Sequence, residues 1–304
     1  MVDGIKLKYI INDYDSWSNS HNLIFLNSVN FGTGEVYTTR SRRTGSLITK
    51  SKANYKQYYL TLTEVYDIVY GNKMYFLEVR GSLHKSFLNG PNITNLTKAQ
   101  MIEEINELEK VLCLNSEIAT IHNIEIGINI QTTFSPIKFL ENSLLSFKGK
   151  RFEKYSVDSK GNSIGYHAKL GQYSVKIYDK GLQCGLDYNL MRIEARFIKM
   201  EQIKKVTGDT LSMLKHFTQN DVRNILENLW NGVLLNELSG ANNDIRTSEL
   251  YLQVTNYQYM KQLQKSDRRK HDYLIKKFKL LCKKQGDNSH QYIKGLILEE
   301  VGKL

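Results

Sequence analysis

The chain has 304 residues, of which 41% are hydrophobic and 24% charged, as is typical of a globular protein with a sizeable core. Lys and Arg outnumber Asp and Glu by 42 to 31; the net charge of +11 predicts a polyanionic partner, nucleic acid before a membrane surface. Without an 18-residue apolar run, a signal peptide or a CxxC pair, the sequence predicts no membrane span, secretion or zinc ribbon, and a cytoplasmic location.

The first 70 residues are expected to form short strands and turns, punctuated by glycines such as Gly32, Gly34 and Gly45. Within them lies the stretch Thr-Arg-Ser-Arg-Arg-Thr-Gly at 39–45, which is basic and flanked by hydroxyl groups. Its three arginines either bind phosphates or form a solvated loop, and both interpretations stay open. These arginines are Arg40, Arg42 and Arg43.

Clear periodicity begins near residue 73. Residues 74–80 alternate like a strand, and 97–114 have helical spacing with Thr97 and Gln100 placed for a capping box. Residues 121–131 alternate most regularly. Their two faces are His122, Ile124, Ile126, Ile128 and Ile130 on one side, and Asn123, Glu125, Gly127 and Asn129 on the other.

A second helix is expected over 136–147 and a turn over 158–162. Residues 173–180 predict a strand with Lys176, Tyr178 and Lys180 on one face, and 190–199 predict another with Arg192, Glu194 and Arg196 together.

After about residue 208 the pattern is helical, with one helix over 222–238 and a basic helix over 261–284. The charge favours phosphate contact over a merely solvated face for the basic helix, and its candidate DNA-binding residues include Arg268, Arg269 and Lys270. The sequence thus predicts an α+β fold: a central antiparallel sheet with helices on one face, followed by a mostly helical, basic C-terminal region. We expect a nicking domain at 1–207 and a DNA-binding region at 208–304.

Four of the predicted strands place a reactive or charged residue opposite an apolar face. If they form one sheet, three carboxylates gather beside a phenol and an amine. Carboxylate oxygens suit Mg²⁺ or Mn²⁺, and a metal or Lys180 is a plausible activator of Tyr178. Solvated carboxylates on an ordinary sheet face give the same alternation. The carboxylates are Glu78, Glu125 and Glu194.

The segment Ile-Tyr-Asp-Lys at 177–180, followed by Arg-Ile-Glu at 192–194, resembles the core of trans-acting plasmid and phage rolling-circle replication initiators. Phe-Leu-Glu-Val-Arg at 76–80 with Gly-Pro at 90–91, and the strand at 124–129, resemble two earlier strands of that family. The resemblance spans about residues 73–200. It departs from the family at Asn129, where a second carboxylate is usual, and the chain has no His-hydrophobe-His triplet.

This resemblance implies a metal-dependent tyrosine endonuclease that nicks one strand at an origin through a 5′-phosphotyrosine and later rejoins it. Tyr178 would be the nucleophile, Lys180 its activator, and Glu78, Glu125 and Glu194 the ligands of Mg²⁺ or Mn²⁺. The expected partners are double- and single-stranded origin DNA and the host helicase and polymerase; a homodimer is left open. Further DNA contacts are expected from Lys176, Arg192 and Arg196.

Other functions fit the same sequence. A conjugative or transposon nickase would share the chemistry. A DNA-binding replication or regulatory protein without catalysis would keep the basic surface and be indifferent to Tyr178→Phe. An RNA-binding protein is less favoured because adjacent strands lack an RNP-like aromatic pattern.

Overall fold

A computed structural model describes residues 2–29, 35–157, 163–238 and 240–304, so the turn expected over 158–162 and the glycines at 32 and 34 lie outside the described residues. The fold is α+β, with a large antiparallel sheet and further helices in the C-terminal region. The chain forms two compact units, the first comprising 1–126, 196–219 and 304, and the second 127–195 and 220–303. The functional boundary expected at residue 208 stays a prediction.

The strands are β1 (Val2–Ile11), β2 (Leu26–Asn27), β3 (Thr38–Arg40), β4 (Leu47–Tyr55), β5 (Tyr58–Asp67), β6 (Asn72–Ser82), β7 (Thr120–Gln131), β8 (Leu144–Phe147), β9 (Lys150–Arg151), β10 (Glu153–Val157), β11 (Ser163–Lys169), β12 (Tyr173–Asp179), β13 (Leu190–Phe197) and β14 (Val233–Leu235). The helices are α1 (Tyr14–Ser20), α2 (Leu83–Leu88), α3 (Lys98–Leu112), α4 (Pro136–Ser143), α5 (Lys180–Cys184), α6 (Lys204–Thr207), α7 (Leu211–Leu214), α8 (Gln219–Asn231), α9 (Asn243–Arg246), α10 (Glu249–Thr255), α11 (Tyr257–Ser266), α12 (Arg268–Gln285) and α13 (Ser289–Gly302).

In the first unit, strands follow the order β7-β1-β6-β5-β4-β2, and β3 pairs with β4. Within the first 70 residues, strands β1, β4 and β5 have 10, 9 and 10 residues, so this region is not built only of the short strands and turns that were expected. Strands β1, β5 and β6 alternate between a polar face and an apolar face that buries residues such as Leu7, Leu60 and Leu77.

Helix α3 contacts the sheet of the first unit and confirms the helix expected near 97–114. Thr97 accepts a hydrogen bond from the N–H of Gln100, whose side chain accepts one from the N–H of Thr97, so the predicted capping box is present. The helix buries Ile105 and Leu108, and Glu104 accepts a hydrogen bond from the Tyr58 hydroxyl of β5.

A β-bulge changes the faces of β7. Lys6 pairs with Asn123 but Leu7 pairs with Ile121, so an extra residue lies in β7 at this point. Ile121 is therefore buried, and His122 is exposed. The expectation that His122 shares the face of Ile124 was wrong, because strict alternation assumes a strand without bulges.

In the second unit, strands follow the order β10-β11-β12-β13-β7, and α4 packs on β11 and β12. A smaller sheet has the order β14-β8-β9. The helix expected over 136–147 ends at Ser143 because the next four residues form β8.

The helices of the second unit are shorter than the periodicity predicted. The helix expected over 222–238 ends at Asn231, before Gly232 and β14. The one expected over 261–284 is two helices, because Asp267 leaves helical geometry and its side chain accepts a hydrogen bond from the N–H of Lys270, starting α12. Leu263, Leu274 and Phe278 pack in one buried cluster. None of the described helices is both long and apolar enough to cross a membrane.

Candidate functional site

Tyr178 lies in β12 opposite a glycine. Gly165 of β11 pairs with Tyr178, and a Cβ built on Gly165 would lie 2.1 Å from the Cβ of Tyr178. No real side chain fits at that distance, so the glycine allows the two strands to pair where the tyrosine stands. The Tyr178 side chain is 5% exposed.

The phenol of Tyr178 belongs to a hydrogen-bonded network around Glu194. Its hydroxyl donates to Glu194 Oε2 at 3.4 Å. Arg192 Nε donates to the same oxygen at 2.8 Å, and Lys176 Nζ donates to Oε1 at 2.8 Å. Tyr178 and Glu194 therefore share a face, as the alternation of their strands predicted.

Asn129 stands where the family usually has a second carboxylate, and its side chain contacts an arginine. Arg192 NH1 donates to Asn129 Oδ1 at 2.9 Å, so the amide oxygen accepts from a guanidinium. Arg192 is 1% exposed. A buried guanidinium needs several acceptors to offset its desolvation, and Glu194 and Asn129 supply them. Arg192 is therefore covered by its neighbours, and its expected contact with a flanking phosphate stays a prediction.

Charged groups lie close to the phenol. Glu194 carries one negative charge, and Arg192 and Lys176 each bring a positive charge within hydrogen-bond distance of it. Electrostatic interactions are stronger in a buried environment than in water. A carboxylate in contact with the hydroxyl can accept its proton, and the neighbouring cations can interact with a phosphate oxygen.

Lys180 is not on the strand face predicted for it. Strand β12 ends at Asp179, whose side chain accepts a hydrogen bond from the N–H of Leu182 and caps α5. Lys180 is thus the first residue of α5, and its ammonium donates to Gln183 Oε1 at 2.9 Å. The expectation that Lys180 follows Tyr178 by strand alternation was wrong, because the capping aspartate turns the chain into a helix one residue earlier.

The other two carboxylates lie in the first unit and are also paired with cations. Lys6 Nζ lies 2.8 Å from Glu78 Oε2, and both side chains are about two-fifths exposed. Arg196 Nε lies 3.3 Å from Glu125 Oε1 and donates to Asn123 Oδ1. Arg196 is partly exposed and keeps its capacity to contact a phosphate.

Cations already contact the oxygens that a divalent ion would need. Each of the three carboxylates contacts a Lys or Arg, and Glu194 contacts two, so a metal ion would have to displace these partners. Within the part of the chain that the structure describes, no three His, Cys, Asp or Glu side chains group as metal ligands. The requirement for Mg²⁺ or Mn²⁺ stays a prediction.

The remaining candidate DNA contacts are exposed. Arg40, Arg42 and Arg43 lie in and after β3, where Arg40 Nε donates to the carbonyl of Gly45. Three further exposed cations form the first turn of α12, namely Arg268, Arg269 and Lys270. The positive end of the helix dipole adds to their charge.

Sequence reasoning missed one aromatic neighbour and two glycines of this site. The centre of the Tyr155 ring in β10 lies 6.0 Å from the centre of the Tyr178 ring. Lys176 Nζ lies 5.0 Å from the centre of the Tyr155 ring. A Cβ on Gly127 would lie 2.7 Å from the Cβ of Glu194. Gly127 and Gly165 each stand inside a strand, which is the available signal, because an interior glycine often marks a close approach.

No protein-family model matches the chain, and no curated protein does. Among solved structures, the chain is similar to a rolling-circle replication initiator protein from Geobacillus stearothermophilus, with 12% identity. The superposition covers 77% of this chain and 84% of the other, with a TM-score of 0.37, a level that does not establish a common fold.

Proposed function

We propose that this protein is a rolling-circle replication initiator that nicks one DNA strand at an origin and later rejoins it. The observation that carries the proposal is the contact of the Tyr178 hydroxyl with Glu194, inside a network with Lys176 and Arg192. It occurs in the two segments, 177–180 and 192–194, that resemble the family's nicking core, and the net charge of +11 suits a nucleic-acid partner.

In the nicking step, the phenol oxygen of Tyr178 attacks the scissile phosphorus as its proton passes to Glu194 Oε2. The bond from phosphorus to the 3′-oxygen breaks, and that oxygen takes a proton from water to become a free 3′-hydroxyl. The product is a 5′-phosphotyrosine that keeps the energy of the phosphodiester. A later attack by a 3′-hydroxyl reverses the step and rejoins the strand without ATP.

Lys176 and Arg192 have separate roles in this proposal. Lys176 supplies positive charge beside the phenol and the incoming phosphate, which stabilises the charge that develops in the transition state. Arg192 holds Glu194 from one side and Asn129 from the other, which keeps the carboxylate in position to accept the proton.

The burial of Tyr178 adds a requirement. A phosphodiester cannot reach a phenol that is 5% exposed, so DNA binding must uncover the ring. Tyr155 is the neighbour that we expect to move, since an aromatic ring beside the nucleophile can exchange one stacking partner for a base of the incoming strand.

The product of this reaction defines the further partners. The free 3′-hydroxyl primes a polymerase, and unwinding from the nick requires a helicase; we propose that the host supplies both. We further propose that the exposed arginines after β3 and at the start of α12 bind origin DNA, and that the protein acts in the cytoplasm of a bacterial host.

The decisive experiment is a nicking assay on supercoiled DNA that carries the element encoding this chain. Wild-type protein, Tyr178→Phe and the control Tyr166→Phe are each incubated with Mn²⁺ or with a chelator. We expect open circles with covalently attached protein from the wild type and the control, and none from Tyr178→Phe. The chelator arm tests the metal requirement separately.

The alternatives give different results in the same assay. Two other tyrosines lie near Tyr178 in the sequence: Tyr166 in β11 and Tyr188 between α5 and β13. Nicking that survives in Tyr178→Phe would move the nucleophile to one of these two. Binding without nicking, on DNA shown to contain the origin, would favour a DNA-binding replication or regulatory protein without catalysis.

A further inference from the structure

A concave cavity of about 690 Å³ lies in the second unit, away from the residues proposed for nicking. Its walls come from the turn between β8 and β9, the residues after α8, the end of α11, and one face of α12. This volume is within the range of ordinary small-ligand sites, which is roughly 300 to 1,000 Å³.

The cations on the rim come mainly from one side of α12. Arg268, Lys276, Lys279 and Lys283 line the cavity and follow one another at spacings of eight, three and four residues, which places them on a single helical face. Lys148, at the β8–β9 turn, adds a fifth positive charge. Asp272, which weakly pairs with Arg268 at 3.9 Å, supplies the one carboxylate among the lining residues.

Between these cations the surface of the cavity is mainly apolar. Leu280 is 51% exposed there, Ile275 is half-buried, and Leu234 is buried beneath them. The cavity therefore combines an apolar floor with a cationic rim.

One rim cation is held toward the cavity. Lys279 Nζ donates to the carbonyl of Asn231 at 3.2 Å, and partial burial lowers the pKa of its ammonium. An anion that enters the cavity would offset the loss of water around the Lys279 ammonium. Gln264 packs against Gly149 at another wall, where its amide offers a donor and an acceptor.

We infer that this cavity binds single-stranded DNA, with a base on the apolar floor and the flanking phosphates on the rim. A base has a flat apolar face that stacks or packs regardless of sequence, and its backbone places negative charges on either side of it. Paired bases in a duplex do not expose their faces, which favours a single strand. The inference rests on the proposed function for the choice of DNA as the polyanion.

The test measures fluorescence anisotropy of a labelled 15-nucleotide oligo-dT and of a 15-nucleotide abasic strand. The cavity pair Lys276→Gln/Lys279→Gln is compared with the matched pair Lys277→Gln/Lys284→Gln, which lies on the same helix outside the cavity. We expect the cavity pair to weaken oligo-dT binding about tenfold and to lower the slope of log K against log salt by about 1.4, near 0.7 per phosphate contact. The matched pair should change affinity less than about threefold.

The apolar floor is tested by Leu280→Ser. Because Leu280 is exposed, this substitution leaves the buried cluster intact. It should weaken oligo-dT by about threefold to tenfold and leave the abasic strand unaffected, since the loss of apolar packing falls only on bases. Equal losses from the two lysine pairs, or equal affinity for the two strands, would overturn the inference. Stronger binding of oligo-U, or displacement by free thymidine monophosphate at equal concentration, would assign the cavity to RNA or to a mononucleotide instead.

The two proposals fail separately. Nicking that depends on Tyr178, together with unchanged oligo-dT binding in the cavity pair, would reject only the cavity. Loss of oligo-dT binding in the cavity pair, together with nicking that persists in Tyr178→Phe, would reject only the assignment of Tyr178.

Discussion

Glu78 of the first unit and Glu194 of the second have the same sequence signature, a glutamate on the polar side of a strand. Glu78 meets one lysine at a surface where both side chains are about two-fifths exposed. Glu194 is 4% exposed and contacts Arg192, Lys176 and Tyr178. The two glutamates therefore differ in burial and in the number of side chains that each contacts. Strand alternation reports only the face, so the number and burial of a carboxylate's partners must come from the structure.

The largest effect is expected from Glu194→Ala. It leaves a buried guanidinium and an ammonium without their carboxylate, and breaking such an arrangement costs about 3 to 5 kcal/mol. We expect urea denaturation to show this loss and the nicking assay to show no product. A loss below about 1 kcal/mol would place Glu194 with the surface carboxylates and remove the contrast with Glu78.

Gly165→Ala should have the next largest effect. The new methyl group would collide with the Cβ of Tyr178, and overpacking of this kind costs about 1 to 3 kcal/mol. Gly171→Ala is the matched control, because nothing lies within 4 Å of its Cβ position. Similar midpoints for the two variants in thermal unfolding would show that the strands adjust around the tyrosine.

Glu78→Ala should cost less than about 1 kcal/mol, the usual range for an exposed pair. A double-mutant cycle with Lys6→Ala, measured at low and high salt, isolates the pair. A coupling energy that salt does not reduce would contradict the surface character of this contact. An effect on nicking larger than the effect on stability would support a ligand role for Glu78.

The smallest effect concerns pH and a partly buried histidine of the second unit. Burial lowers the pKa of His290, which stacks on Trp230. A hydrogen bond to the Trp230 carbonyl opposes this shift, and the nearby charges of Lys279 and Lys294 add to it. A folded-state pKa below the ordinary 6.5 means that the stabilising contribution is present above pH 6.5 and is lost as pH falls through the folded value. We expect His290→Gln to flatten the decline in stability as the pH falls below about 6.5. An unchanged decline would assign it to other groups.

Much of this architecture can be predicted from the sequence, and the predictions that were wrong have physical causes. Alternation placed Tyr178 and Glu194 on one face, and the hydrogen bond between their side chains agrees with that placement. It misplaced His122 because a bulge belongs to a pair of strands and is not visible in one. Periodicity extended a helix through Asp267, since it does not register a side chain that caps the next helix.

The burial of Arg192 could not be predicted from the sequence either. Its sequence position shows a polar face, but its coverage depends on the strands placed beside it by the sheet order. Gly127 and Gly165 were the clearest features of the sequence that the prediction did not use. Each marks a place where a neighbouring side chain leaves no room for a Cβ.

The contacts from Asn129 through Arg192 and Glu194 to Tyr178 run across β7, β13 and β12, perpendicular to the strands. If Tyr178 is the nucleophile that we propose, a phenol held in this way has few rotamers to lose when it attacks, and most of the entropic cost of alignment is met when the protein folds. The tyrosine would then have little freedom to move toward its target. The strand to be cut would have to bend toward the tyrosine, and we expect its sequence to be selected for ease of deformation as much as for contacts.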